Sequence, residues 1–179
     1  MTFEFDITMK DYVDFNKYHM RNSKAQKRLY FFLMLVIFCC YGYTFRHNIF
    51  SLIISITIFS VLILISYTLF DKFLLPVFIK ASINEGKSND FIGPQILQFE
   101  EDCIRETTVS ITSQFQYMAI EKLGYFKGSF YVYIGAIKAF IVPVSAFEND
   151  EQIRAFLTFI YEKTGKSLKD KDAKKLGLH

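Results

Sequence analysis

Three groups of side chains in the sequence could do chemistry: three histidines, a run of acids, and the lysines of the C-terminal half. The histidines are His19, His47 and His179, and they lie in three different segments, so we expect that they do not converge on one site. No motif of a nucleophilic hydrolase, a metalloprotease or a nucleotide-binding loop occurs. The sequence therefore predicts that the protein is not an enzyme and holds no metal and no cofactor.

The run of acids, Glu100, Glu101 and Asp102, has two interpretations. Neighbouring carboxylates can act as a general acid and base or hold a cation. Apolar and polar residues alternate on both sides of the run, however, which is typical of two strands joined by a solvated turn. We favour the turn.

The lysines Lys122, Lys127 and Lys138 fall on predicted strands or at their ends. Together they could form a basic patch that contacts a ligand or a lipid phosphate. Lysines at strand edges also discourage edge-to-edge aggregation, and we favour this second interpretation. The formal net charge of +3 gives no indication of a nucleic-acid partner.

Two stretches of the N-terminal half, residues 29–45 and 49–70, carry no acidic or basic residue. A helix that crosses a bilayer needs about 17 to 25 mostly apolar residues, and neither stretch has the polar face of a helix in a soluble protein. Residues 46–48 alone separate the two stretches. The sequence therefore predicts a two-helix transmembrane hairpin, and the lack of charge within it argues against transport.

Basic residues flank the predicted hairpin on the side of the chain ends, whereas the connection between the two helices offers only Arg46. Positive residues in short flanking segments stay on the cytoplasmic side. We therefore expect both termini in the cytoplasm and Asn48 outside. The residues predicted to orient the hairpin are Lys17, Arg21, Lys24, Lys27, Arg28, Lys72 and Lys80.

The first residues predict a strand followed by a helix. Phe3, Phe5 and Ile7 alternate with acids, and Thr8 precedes Asp11 by three residues, which resembles a capping box. We expect a helix from Met9 with a break near residues 22–23. A strand this short cannot stand alone, so it must pair with the C-terminal half.

From Gln95 onward the hydrophobic period changes to two, with a hairpin signal at Lys127-Gly128 and a helix over 150–163 that Asn149 caps. An amphipathic helix after five or six antiparallel strands has the element order of a pleckstrin-homology-like barrel. The predicted core residues are Leu97, Phe115, Tyr117, Ile120, Phe130, Ile153, Phe156, Leu157 and Ile160.

The predicted fold class is thus an α+β membrane protein, in which a transmembrane hairpin accompanies an antiparallel sheet or barrel closed by a C-terminal helix. The predicted segments are a strand and helix (1–28), two membrane helices (29–45 and 49–70), a helix extension and linker (71–94), the sheet domain (95–165) and a mobile charged tail (166–179).

Several motifs resemble those of small bacterial membrane proteins with a YcxB-like C-terminal domain. They are "FEFDIT", "DYVDFNKYH", "LQFEEDCIRETT", "SQFQYMAIEKL", "IVPVSAF" and "FLTFI". Two positions depart from the pattern, since Tyr117 stands where a Trp is usual and Cys103 where a turn Gly is usual. The resemblance implies a cytoplasmic domain related to pleckstrin-homology-like folds, in the inner membrane of a bacterium, and it implies no known reaction.

The favoured function is a membrane-anchored, non-catalytic binding or regulatory module. It would meet another protein or a lipid headgroup at the inner face of the bilayer, and self-association through the hairpin is a further expectation. The alternative is an immunity protein that binds a toxin at the membrane. A membrane enzyme or a transporter is less favoured.

Overall fold

The computed structural model describes residues 1–44, 49–85 and 92–177. The predicted loop tip at Asn48, with Arg46 and His47, lies outside the described residues, as do residues 86–91 of the predicted linker and His179. The chain divides into two compact units. One combines Met1–Asn16 with Ile83–His179, and the other is Lys17–Ser82.

The first strand and helix form where the alternation and the capping box predicted them. β1 covers Thr2–Ile7, with Phe3 and Ile7 buried on one face. The Thr8 N–H donates to Asp11 Oδ2 at 3.0 Å and the Asp11 N–H donates to Thr8 Oγ1 at 3.3 Å. This reciprocal cap starts α1 at Met9–Asn22, which ends at the predicted break.

The first unit contains two antiparallel sheets. Sheet 1 has the order β1-β2-β3-β4, and sheet 2 has the order β5-β6-β7. The strand bounds are β2 Gly93–Phe99, β3 Cys103–Thr107, β4 Thr112–Gln116, β5 Lys122–Phe126, β6 Ser129–Tyr133 and β7 Ala139–Pro143.

Strand β1 pairs antiparallel with β2, and Phe3 lies opposite Leu97. The predicted pairing of the N-terminal strand with the C-terminal half is therefore confirmed. The Met1 amino group adds a hydrogen bond to the Phe99 carbonyl oxygen at 2.9 Å.

The turns explain where the strands end. Lys127 and Gly128 both have positive φ, 50° and 85°, which is the two-residue hairpin geometry that their sequence indicated. The two-residue period of "SQFQYMAIEKLGYF" predicts one strand through residues 113–126, but Tyr117–Ala119 form a 3₁₀ turn between β4 and β5. That turn carries the chain from sheet 1 to sheet 2.

Helix α5, Asp150–Thr164, packs its apolar face into the core between the sheets. The Asn149 side chain accepts from the Gln152 N–H, and Gly165 closes the helix in the left-handed conformation. Phe156 is fully buried, with ring centroids 5.6 Å from Phe3 and 5.3 Å from Phe99.

The structure places the predicted core residues as follows. Phe115 and Leu157 are partly buried against the core, and the others lie within it. Those within it are Leu97, Tyr117, Ile120, Phe130, Ile153, Phe156 and Ile160.

Residues beyond α5 form a further short helix, α6, at Asp170–Leu176. α6 contacts β5, its Asp172 is fully buried, and Leu176 packs against the core. The alternating charges of this segment indicated a mobile tail and gave no sign of this helix.

The second unit consists of helices. After the end of α1 come α2 at Lys24–Thr44, α3 at Ile49–Leu69, a π-helical turn at Phe70–Leu74 and α4 at Leu75–Glu85. Pro76 has no N–H to donate and its ring collides with the preceding turn, so α3 cannot run regularly into α4. Hydroxyls of α3 bond back to the helix, as Thr57 does to the Ile53 carbonyl oxygen at 3.0 Å.

Across the described residues, no helix combines the length and the apolar character that a bilayer crossing requires. The prediction of a transmembrane hairpin is therefore wrong, and with it the fold class as a membrane protein, the two-span function and the inner-membrane location. The prediction treated uncharged length as sufficient. α2 starts before its uncharged stretch, and its first turns carry Lys24, Lys27 and Arg28.

The residues predicted to orient the hairpin lose that role. Lys17 is half-buried in the C-terminal half of α1, and the rest are exposed. The exposed ones are Arg21, Lys24, Lys27, Arg28, Lys72 and Lys80.

What the structure supports is an α+β chain with two antiparallel sheets. Four strands, then three, then a helix in the core follow the element order predicted for a pleckstrin-homology-like domain, with one difference. The first strand is separated from the second by α1 and by the whole Lys17–Ser82 unit.

Replacing Phe156 by Ala tests whether α5 closes the core. Loss of a fully buried Phe should cost about 3 to 5 kcal/mol of unfolding free energy. Thr158→Ala, an exposed position of the same helix, is the matched control and should leave stability nearly unchanged. Chemical denaturation measures both, and equal midpoints for the two variants would contradict the packing.

Replacing Phe3 by Ala tests whether β1 is part of the domain. The Phe3 ring lies 4.8 Å from that of Phe147, so its loss should loosen both sheets and speed proteolysis within residues 95–145. Glu4→Ala, exposed on the same strand, serves as the control. Limited proteolysis with mass mapping reports the outcome, and unchanged cleavage in Phe3→Ala would argue against the pairing.

Candidate functional site

One concave site of the first unit is a groove of about 420 Å³ between α1, the ends of sheet 1 and the start of β7. We call it the end groove. Its lining is apolar for the greater part, with a few polar groups. The lining residues are Ile7, Tyr12, Phe15, Gln95, Glu106, Thr108, Ile111, Ser113, Ile137, Lys138, Ala139 and Ile141.

Strands β3 and β4 form one wall of the end groove, because alternate side chains of a strand point to the same face of the sheet. Ile104 points into the core, so Glu106, two residues on, points to the same face of sheet 1. Ser113 lies opposite Glu106 in the register, and the Thr108 N–H donates to the Ile111 carbonyl oxygen at 2.9 Å where the hairpin closes. The inner face of this hairpin therefore continues past the core and becomes the groove wall.

An ion pair joins β3 to the segment that precedes β7. Lys138 Nζ, next to β7, lies 3.4 Å from Glu106 Oε2 on β3. The same ammonium lies 4.5 Å from the centre of the Phe115 ring, which packs against Phe140 at 5.3 Å. The carboxylate and the ring thus hold a cation at the groove wall, and an ammonium has three donors, of which this bond uses one.

Helix α1 provides the opposite wall. Phe15 packs on the outer face of sheet 2, with its ring 5.4 Å from Tyr131 and 5.8 Å from Tyr133. Asp14 accepts a hydrogen bond from Lys127 Nζ at 2.9 Å, which ties α1 to the β5–β6 turn. Burial raises the pKa of the Tyr131 and Tyr133 phenols, so both stay neutral at physiological pH.

The three lysines of the predicted basic patch are placed apart. Lys138 lines the end groove, Lys127 pairs with Asp14, and the Lys122 ammonium lies 4.0 Å from the centre of the Tyr133 ring. Burial, and then the charge of Lys169, lowers the pKa of Lys122. Of the three, Lys138 lines the end groove, which has room for a ligand.

The acidic run forms a turn, which is the interpretation that the alternation favoured. The Glu100 N–H donates to the Cys103 carbonyl oxygen at 2.9 Å and closes the β2–β3 hairpin. Glu100 Oε1 lies 2.9 Å from Arg105 Nε, and the Cys103 thiol donates to Glu100 Oε2 at 3.3 Å. The bond to Glu100 is the main cause that raises the pKa of the Cys103 thiol, followed by burial. This thiol is therefore less reactive than an ordinary cysteine.

Tyr117 fastens this turn to the core. Its hydroxyl donates to the Glu100 carbonyl oxygen at 2.6 Å, and burial is the main cause that raises the pKa of Tyr117 to about 12. Lys163, near the end of α5, donates to the Glu101 carbonyl oxygen at 2.8 Å. We call this cluster the β2–β3 joint, because its contacts fix the β2–β3 turn to the core. The Glu100 carboxylate is already paired with Arg105.

The described residues contain no group of three or more side chains arranged to hold a metal ion. Of the histidines, His19 is described, and it belongs to the helical unit. Sequence reasoning named Lys138 but missed its partner Glu106 and the groove walls Tyr12 and Ile137. Nothing in the local pattern sets these three apart, because the site forms only where segments far apart in the chain meet.

Comparison with known proteins agrees with the resemblance of the C-terminal motifs. Residues 99–160 match the family model described as YcxB-like protein, so this part of the chain carries a YcxB-like domain. The match runs from the end of β2 into α5 and includes Glu106 and Lys138, whereas β1 and α1 lie outside it. Neither the curated proteins nor the solved structures contain a significant match.

Tyr117→Phe tests the joint and its pH dependence. Loss of the bond to the Glu100 carbonyl should cost about 1 kcal/mol at neutral pH. Because the folded pKa of Tyr117 is about 12 and an unfolded tyrosine has about 10, the stabilisation is fully present below pH 10 and is lost between pH 10 and 12. The difference in unfolding free energy between the natural protein and Tyr117→Phe should therefore decrease between pH 10 and 12.

Urea denaturation of the two proteins at pH 8, 10 and 11.5 measures this difference. Other tyrosines and the lysines titrate in both proteins and cancel in the comparison. A difference in unfolding free energy that stays constant across the three pH values would contradict the assignment.

Proposed function

We propose that the unit formed by residues 1–16 and 83–179 is a non-catalytic binding domain whose ligand occupies the end groove. The groove volume falls within the range of ligand sites, about 300 to 1,000 Å³. Apolar walls with one fixed ion pair are the composition expected of a site that binds and orients a ligand without transforming it. The observation that carries the proposal is the Lys138 ammonium held against this cavity by Glu106 and Phe115.

The chemistry of the walls defines the ligand class. The apolar part of a ligand would pack between α1 and the inner face of the β3–β4 hairpin. Lys138 retains donors beyond its bond to Glu106, so it would take a carboxylate or another acceptor at one end. We therefore propose an amphipathic ligand, with an apolar chain or ring that ends in an anionic group.

The absence of catalysis is part of the same proposal. The Cys103 thiol lies in the β2–β3 joint, outside the groove, and is bonded to Glu100. Glu106 is itself paired with Lys138. Apart from that pair, the described residues that line the groove include no carboxylate, imidazole or thiol, so we expect no general acid–base pair there.

Octanoate and octanamide test the groove, because the two probes differ in charge and share one apolar chain. Octanoate should bind the natural protein about three- to tenfold more tightly, which corresponds to about 0.7 to 1.4 kcal/mol. The low end reflects the half-exposed Lys138. Lys138→Met should remove the preference for octanoate and keep the binding of octanamide. Ligand-observed NMR titration measures both affinities.

A pair of variants on β4 shows whether the probes occupy this groove. Ser113→Leu fills the inner face, whereas Thr112→Leu adds the same side chain on the exposed outer face. Binding should be lost in the first variant and kept in the second, with melting temperatures confirming that both fold. Equal binding by the two variants, or an unchanged octanoate preference in Lys138→Met, would refute the proposal.

A further inference from the structure

Strand β4, Thr112–Gln116, lies at one edge of sheet 1. The register shows which of its backbone groups point outward. Because Thr108 and Ile111 form a hydrogen-bonded pair, so do Glu106 with Ser113 and Ile104 with Phe115. The N–H and C=O groups of the alternate residues, Thr112, Gln114 and Gln116, therefore point away from β3, toward the open side.

The other three sheet edges are protected. Strand β1 contacts β7, so these two edges cover each other, and β5 is contacted by α6. In the part of the chain that the structure describes, no strand pairs with the open side of β4. This edge also has none of the usual protections, since "TSQFQ" contains no charged residue, no Pro and no Gly.

The sequence of β4 and its flanks is self-complementary. In an antiparallel pair of two β4 strands centred on Gln114, each Gln114 faces its own copy and Thr112 faces Gln116 of the second copy. Neither contact opposes like charges. The same register places residue 110 opposite residue 118.

Exposed apolar side chains also lie at the ends of such a pair. Met118 is 92% exposed and follows one end of β4, while Val109, which is 79% exposed, lies in the turn that precedes the other end. Because residue 110 lies opposite residue 118, the two-fold axis brings Met118 of each copy next to that turn of the other. Burial of these side chains in a dimer would remove apolar surface from water.

We propose that β4 pairs antiparallel with β4 of a second copy of this chain, which joins the two four-stranded sheets into one continuous sheet. The interface is isologous, as a two-fold axis requires. It uses the outer edge of the hairpin whose inner face lines the end groove, so it does not depend on the proposed ligand.

Cysteine cross-linking of the full chain tests the register. Cys39, Cys40 and Cys103 are first replaced by Ser, and the protein is kept in a mild detergent because α2 and α3 expose apolar side chains. Hydrogen-bonded partners in an antiparallel pair have Cα atoms about 5.5 Å apart, within reach of a disulfide. Gln114→Cys should therefore form a covalent dimer under mild oxidation.

Thr112→Cys is the matched control. In the proposed register residue 112 faces residue 116 of the second copy, so the two residues 112 lie four positions apart along the strands. That separation is roughly 13 Å, which a disulfide cannot span. A dimer band with Gln114→Cys and none with Thr112→Cys supports the proposal. Equal bands for the two variants, or no band for Gln114→Cys while its thiol reacts with maleimide, would overturn it.

Gln114→Pro provides a second measurement. Its N–H points away from β3, so Pro removes an interface donor and keeps the β3–β4 ladder. Sedimentation equilibrium should show loss of the dimer with a nearly unchanged melting temperature. A dimer that persists in a folded Gln114→Pro variant would also overturn the proposal.

Discussion

The pairing of β1 with β2 is the interaction on which the rest of the first unit depends. The two strands are separated by α1 and by the entire helical unit, and closing a flexible loop of about 85 residues costs on the order of 4 kcal/mol. Burial of Phe3 among Phe99, Phe147 and Phe156 offsets that cost, since a buried Phe contributes about 3 to 5 kcal/mol. The intervening segment also folds on its own contacts, which shortens the effective loop.

Because α1 follows β1 directly in the chain, the position of β1 places α1 on the outer face of sheet 2. Phe15 then covers Tyr131 and Tyr133, and Asp14 reaches Lys127. This explains why every residue of β6 is buried, because α1 covers one face and the core covers the other. The end groove is the space that remains between α1 and the far end of sheet 1, so its existence depends on the same pairing.

The β3–β4 hairpin has a different role on each side. Its inner face contributes Glu106 and Ser113 to the groove, and its outer edge presents the backbone groups of β4 to solvent. Its opposite end is fixed by the β2–β3 turn, where Arg105, Cys103 and Tyr117 each bond to Glu100. Because the hairpin is fixed at that end, its groove face and its outer edge keep defined positions at the other end.

The local features of the chain could be predicted from the sequence, because each depends on neighbouring residues. The capping box at Thr8 and Asp11, the cap at Asn149, the Lys127-Gly128 turn and the β1 alternation were all recognisable in this way. The motifs of the C-terminal half also indicated the YcxB-like domain. The uncharged stretches correctly indicated helices, but their length alone did not establish a membrane crossing.

What only the tertiary structure decided are the features that depend on distant residues. Glu106 meets Lys138 across two hairpins, Tyr117 leaves its predicted strand for a 3₁₀ turn that connects two sheets, and α6 becomes a helix beside β5. None of these has a signal within a window of a few residues. Local hydrogen bonds and the alternation of side chains depend on neighbouring residues, so they can be predicted from the sequence. The groove and the open edge depend on which distant strands pair and which strand edges stay uncovered.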